Sequence, residues 1–288
     1  MTRVSSLLSV NVFRQVLINC LLLTLFPTFS FAQNVPKMSG KFTQGSLIVG
    51  QLKPGTLVHL DNEPLDVTDS GQFVFGFGRD AELEHILSWQ NDDGSLHSQE
   101  ITLTEREYQT QSITGVPQKM VTPAADKVAR IQAEAVLVRN ARKTVSQRAF
   151  FLQKFVAPLV GDITGVYGSQ RIFNGTPKRP HFGLDFAGPV GALVYAPADA
   201  VVTLTHDDMY YSGGTLIIDH GYGVSSTFIH LSELLVSKGQ KVKKGDVIAK
   251  VGQGGRSTGP HLDWRINWYN VRIDPQLVLE LGRELSAQ

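Results

Sequence analysis

The chain has 288 residues, 42% of them hydrophobic and 18% charged. That composition supports about two ordinary globular domains and excludes a disordered or fibrous protein. Lys and Arg number 27 against 26 Asp and Glu, so bulk charge draws the chain to neither nucleic acid nor an anionic membrane surface.

At the start, Arg3 and Arg14 flank the approach to the apolar run Val16–Phe26, and Ser30–Gln33 offers a small-x-small cleavage site after Ala32. Residues 1–32 therefore read as a secretory signal peptide. The alternative is an uncleaved anchor, for which the run is short. Cys20 is the single cysteine and lies inside the run, so a processed chain would have no disulfide, no cysteine nucleophile and no thiolate ligand. Ile18 and Asn19 before Cys20 are not the small residues that lipoprotein processing needs. The expectation is an exported protein with no stable membrane span after processing.

Residues 33–118 contain short alternating runs, among them "GSLIVGQL", "TLVHL" and "QFVFGFG", punctuated by "KPG", "DSG" and "NDDG" turns. This pattern predicts a small antiparallel β domain. His59, His85 and His97 are scattered through it without ligand spacing. Residues 119–150 form a helical linker, with Thr122 as N-cap, Pro123 at the first helical position and an apolar stripe of Val128, Ile131, Ala135 and Val138. Its basic residues, among them Arg130 and Arg142, read as a solvated face.

From 151 to 288 the pattern returns to short strands between glycine-rich turns, without intervening helical periodicity, which predicts a compact antiparallel β core of sandwich or barrel type. The chain as a whole is thus mainly β. Five of the eight histidines fall between His181 and His261, so chemistry is to be sought there.

In "HFGLD", His181 and Asp185 cannot share a helix face, because the flanking prolines and glycines forbid a helix of useful length. On extended chain their Cα atoms would lie about 13 Å apart, and Gly183 supplies a bend that would bring them together. A zinc ligand pair is compatible with this spacing but not required by it. In "HLDWRIN", a strand would put His261, Asp263, Arg265 and Asn267 on one face and Leu262, Trp264, Ile266 and Trp268 on the other. Asp263 could bind a metal within reach of His261, or simply pair with Arg265. In "STFIHLSEL", strand alternation places His230 with Phe228 and Ser232.

Three ordered motifs, H-x-x-x-D, a strand ending in His-Leu, and G-P-H-x-D, run through "RPHFGLDFAG", "SSTFIHLSEL" and "GRSTGPHLDWRI". Over roughly residues 158–278 they resemble the LytM-type (M23, lysostaphin-like) zinc metallopeptidases. The resemblance implies one bound zinc ion and cleavage of the peptide part of bacterial peptidoglycan. It implies that His181, Asp185 and Asp263 are the metal ligands and that His230 and His261 are the catalytic histidines. Position 263 departs from the family's usual H-x-H, where this ligand is histidine. Aspartate can replace a histidine that binds through Nδ1, since both donor atoms stand three bonds from Cα. The second carboxylate would lower the formal charge of the metal–ligand unit from +1 to zero and so raise the pKa of a bound water.

The resemblance implies a zinc metalloendopeptidase acting on peptide crosslinks or stem peptides. With the missing disulfides, it suits a periplasmic protein. The alternative is a degenerate LytM-like regulator that binds peptidoglycan and activates a cell-wall amidase or another envelope protein. A lipoyl or biotinyl module is disfavoured because no M-K-M or D-K-A stands at a hairpin tip, and a phosphocarrier because a cytosolic carrier would not be exported behind a signal peptide. No motif identifies substrate-binding residues or the role of the N-terminal region.

Overall fold

A computed structural model describes residues 35–115 and 117–285; the signal peptide inferred over residues 1–32 lies outside them. The alternating runs of the N-terminal region form antiparallel strands. One three-stranded sheet joins Lys37–Ser39, Leu47–Gln51 and Gln72–Gly76, and a four-stranded sheet joins Glu63–Leu65, Leu57–Leu60, Glu84–Gln90 and Leu96–Thr102. Their inward side chains, including Ile48, Phe73, Phe75, Leu87 and Trp89, make one apolar cluster. The turn glycines Gly55, Gly71 and Gly94 have φ of 84°, 88° and 81°, a left-handed conformation that glycine adopts without steric cost.

The helix of the linker begins later than the sequence predicts, at Ala125, and runs to Lys143. Thr122 is not its N-cap. Pro123 disfavours helical backbone at the preceding residue, so Thr122 is extended and instead closes a short helix, Gln118–Val121. The buried face is also rotated from the expected stripe: Val128 is exposed, while Glu134 and Ala141 are buried. Glu134 tolerates burial because its carboxylate accepts from Arg130 Nε at 2.6 Å and from the Tyr210 backbone N–H at 2.8 Å.

The C-terminal region is built on a ten-stranded sheet. At its centre three neighbouring antiparallel strands position the site: Val224–Leu234, His261–Trp268 and Leu184–Ala187, in that spatial order. As alternation predicts, Leu262, Trp264 and Ile266 turn into the core. There Trp264 lies opposite Phe228 in the neighbouring strand, and burying such a side chain contributes on the order of 2–3 kcal/mol.

The two β regions form one unit. Leu47, Val49 and Val74 share an apolar cluster with Leu184, Phe228 and Trp264, and Arg106 Nη2 meets Asp274 Oδ2 at 2.9 Å. Strand Thr110–Ile113 pairs in parallel with Gln170–Phe173, which carries N-terminal residues to the edge of the cleft described below. No helix among the described residues is long and apolar enough to cross a membrane.

Candidate active site

His181, Asp185, His230, His261 and Asp263 all line one cleft of about 650 Å³. Register explains part of this convergence. Asp185 and Asp263 stand directly opposite each other on adjacent antiparallel strands, and His261 stands opposite Ala187. Gly183 bends the chain before Leu184–Ala187, as the sequence predicts, and brings His181 Nε2 to 3.1 Å from Asp185 Oδ1. A side chain at the bend would displace the site, because a Cβ at position 183 would lie 2.1 Å from Asp263 Oδ1.

Two like charges facing each other across a strand pair destabilise a sheet unless cations intervene. Arg171 Nη2 lies 3.2 Å from Asp185 Oδ2. Arg265 forks onto Asp263, with Nε at 2.9 Å from Oδ1 and Nη2 at 2.6 Å from Oδ2. Burial alone would raise the Asp263 pKa, but the Arg265 charge, His181 and the Arg265 hydrogen bonds outweigh it and hold the carboxyl well below the usual range. Sequence reasoning had no signal for Arg171, which comes from the separate strand Gln170–Phe173.

His181, Asp185 and Asp263 are all buried, and one ligand atom from each lies within 4.8 Å of the others. His181 Nε2 and Asp185 Oδ1 make no hydrogen bond among the described residues, although they are 3.1 Å apart. Leaving two buried polar atoms unsatisfied is costly, and a cation between them would satisfy both. Arg265 does not close the third position, because each carboxylate oxygen has two lone pairs and the guanidinium takes one from each. The donor set therefore fits a small divalent ion.

The strand alternation expected around His230 does not hold. Leu216 pairs with Phe228 but Gly214 pairs with Leu231, so two residues, Ile229 and His230, oppose one. This is a β-bulge. His230 takes the left-handed conformation at φ 64°, uncommon outside glycine. Phe228 remains in the core while His230 lines the cleft beside Ile229.

Backbone carbonyls set the tautomers of both histidines. His230 Nδ1 lies 2.7 Å from Gly254 O, and His261 Nδ1 lies 2.8 Å from Gly259 O. A carbonyl can only accept, so in each neutral ring Nδ1 carries the proton and Nε2 holds the lone pair. The ring centroids are 4.8 Å apart. Burial, reinforced by the His261 charge, pushes His230 down to about 4 against the opposing pull of Asp263 and the Gly254 carbonyl, so it is neutral at physiological pH.

Residues 179–275 match the profile of peptidase family M23. A stretch of 121 residues, 42% of this chain, is 39% identical to the peptidoglycan DD-endopeptidase ShyA of Vibrio cholerae, of which it covers 27%. Another of 100 residues, 35% of this chain, is 42% identical to the DD-carboxypeptidase/endopeptidase Mpg of Neisseria meningitidis, covering 22% of it. The chain thus spans about a quarter of the length of these curated relatives. A crystal structure from Pseudomonas aeruginosa described as a peptidase M23 superposes with a TM-score of 0.63 at 26% identity, over 83% of this chain and 95% of the other. The fold and the matched segment define a peptidase domain of the LytM type. Residues 179–275 thus carry a peptidase family M23 domain.

Proposed function

We propose that this chain is an exported, periplasmic zinc metalloendopeptidase that hydrolyses peptide crosslinks or stem peptides of bacterial peptidoglycan, at amides between D-centres as in its DD-endopeptidase relatives. The observation that carries the reading is the orphaned pair His181 Nε2 and Asp185 Oδ1, facing Asp263 across a buried gap beside two histidines of fixed tautomer. His181, Asp185 and Asp263 would hold the zinc. When bound, such an ion lowers the pKa of water and polarises a carbonyl oxygen.

The chain's own residues supply the rest. The scissile amide adds water at its carbonyl carbon and loses its nitrogen, which leaves as an amine. One of the two Nε2 lone pairs, on His230 or His261, takes the proton from the attacking water, and the same ring returns it to the departing nitrogen. The other histidine, together with the bound ion, would stabilise the developing oxyanion. Asp263 in place of histidine makes the site formally neutral when a divalent ion is bound, so the active form is favoured at higher pH than in a two-histidine, one-carboxylate site.

The second reading is a regulator that binds peptidoglycan and activates an amidase. One observation favours it: Arg265 already satisfies the charge of Asp263. Purified sacculi incubated with the protein and Zn²⁺ separate the two readings. Release of soluble muropeptides by the wild type and its loss in Asp263→Ala support the peptidase. Absence of release, with stimulation of an added amidase, supports the regulator. His230→Ala and His261→Ala should each retain metal while losing about 10²–10⁴-fold in turnover; unchanged turnover in both removes the assignment.

A further inference from the structure

The cleft is more basic than the chain. Five arginines line it, at positions 171, 179, 256, 265 and 272, against two carboxylates, Asp185 and Asp263, although the whole sequence is almost balanced at 27 to 26. Arg171 and Arg265 are taken by those two aspartates. Arg179, Arg256 and Arg272 have no carboxylate within ion-pair distance among the described residues, and Arg272 Nη1 instead donates to Asn267 Oδ1 at 3.0 Å.

Of the three, Arg256 is the one held between aromatic rings. Its guanidinium carbon lies 4.9 Å from the ring centroid of Phe173 and 4.8 Å from that of Tyr211, so aromatic faces on two different segments grip it. Its backbone N–H donates to Tyr211 O at 2.8 Å. The two segments that hold Arg256 also anchor His230: Gly254 O accepts from His230 Nδ1, and Ser212 O, next to Tyr211, accepts from the His230 backbone N–H at 2.7 Å. Arg256 therefore follows, two residues on, the carbonyl that orients a candidate catalytic ring. A guanidinium that is half-buried, fixed by rings and without an acid has its five donors largely unspent.

We propose that Arg256 is a specificity-determining residue that binds a carboxylate of the substrate next to the scissile amide. This deepens the peptidase reading and rests on its DD bond type. In a DD amide the nitrogen belongs to a D-centre that bears a carboxylate one carbon away. A planar guanidinium matches a carboxylate with two parallel hydrogen bonds. Phe173 and Tyr211 hold the fork in one plane, so little side-chain freedom is lost on binding. Selectivity for an anionic group beside the cut bond then comes from this loop, while the His181, Asp185 and Asp263 cluster is left to the chemistry.

The test measures binding and turnover separately, using the purified full chain. The probes are N-acetyl-D-Ala-D-Ala, its C-terminal carboxamide and inorganic phosphate, titrated by calorimetry in the absence of added metal. The wild type should bind the acid at least tenfold more tightly than the amide. Arg256→Gln should erase that preference, and Arg256→Lys, which keeps the charge but loses the fork, should retain only part of it. With crosslinked muropeptides and Zn²⁺, the loss in Arg256→Gln should fall on KM more than on kcat. Equal affinity of the wild type for acid and amide overturns the proposal. So does persistence of the preference in a folded Arg256→Gln, or phosphate competing as well as the acid. An Arg256-dependent acid preference without hydrolysis keeps the subsite and removes the peptidase reading. Hydrolysis without the preference does the reverse.

Discussion

Arg265 grips Asp263 by both carboxylate oxygens, at 2.9 and 2.6 Å, on the strand where Asp263 faces Asp185. The guanidinium and a divalent ion would both neutralise Asp263, so their effects on stability are linked. Arg265→Ala should lower stability without metal by roughly 2–3 kcal/mol, below the full cost of breaking a buried pair because the arginine is partly exposed. Zn²⁺ should then raise the melting temperature of the variant by more than it raises that of the wild type. Thermal unfolding with Zn²⁺ and with EDTA checks this; equal zinc shifts would show that the two cations act independently.

Asp263→His restores the donor set of two histidines and one carboxylate described by the family's usual pattern. Its zinc content, measured on the purified protein, should match or exceed the wild type, and Asp263→Ala should lose the metal. The acid limb of the pH–rate profile in Asp263→His should move down by on the order of one pH unit, because one carboxylate fewer leaves more positive charge on the metal–ligand unit. The exchange also strips Arg265 of its partner, so the variant should melt below the wild type. A profile that stays in place would show that Asp263 does not touch the ion.

Gly183→Ala probes the same geometry through the backbone. Its Cβ would lie 2.1 Å from Asp263 Oδ1 and 3.0 Å from Arg265 Cγ, so the carboxylate must shift. The expected result is zinc content reduced at least tenfold, with a far-ultraviolet circular dichroism spectrum like that of the wild type. Normal metal content in the alanine variant would mean that Asp263 has room to move and that the tight fit is not needed for binding.

His220 gives a pH dependence independent of metal. It is fully buried, with Nδ1 2.8 Å from Asp199 O and Nε2 2.8 Å from Ser226 Oγ. Burial pushes it down to about 4, with the Asp199 carbonyl and charge acting in the opposite direction. The unfolded chain takes up that proton near pH 6.5. The stability tied to neutral His220 is therefore complete above about pH 6.5 and is lost as the pH falls towards 4, by up to about 3 kcal/mol. Urea midpoints at pH 7.5 and 4.5 measure the loss, and His220→Gln, which cannot ionise, should flatten the difference. An unchanged difference in that variant would assign the acid sensitivity elsewhere.

Sequence alone determined the mainly β class and the helical linker, because these depend on local pattern, and a family resemblance marked the five candidate site residues. Period-two alternation places Leu262, Trp264 and Ile266 opposite His261, Asp263 and Arg265, and a glycine between a histidine and an aspartate implies a bend. Tertiary structure decided what depends on register between distant segments. The pairing of Asp185 with Asp263, the arrival of Arg171 from its own strand and the cradle that Phe173 and Tyr211 make for Arg256 are of this kind. His230 shows the limit most clearly: alternation assigns it to the face of Phe228, which is core. Only the bulge opposite Thr215, between the Gly214 and Leu216 pairings, turns it to the cleft, since an extra residue in one strand is defined by the partner strand and leaves no mark in its own sequence.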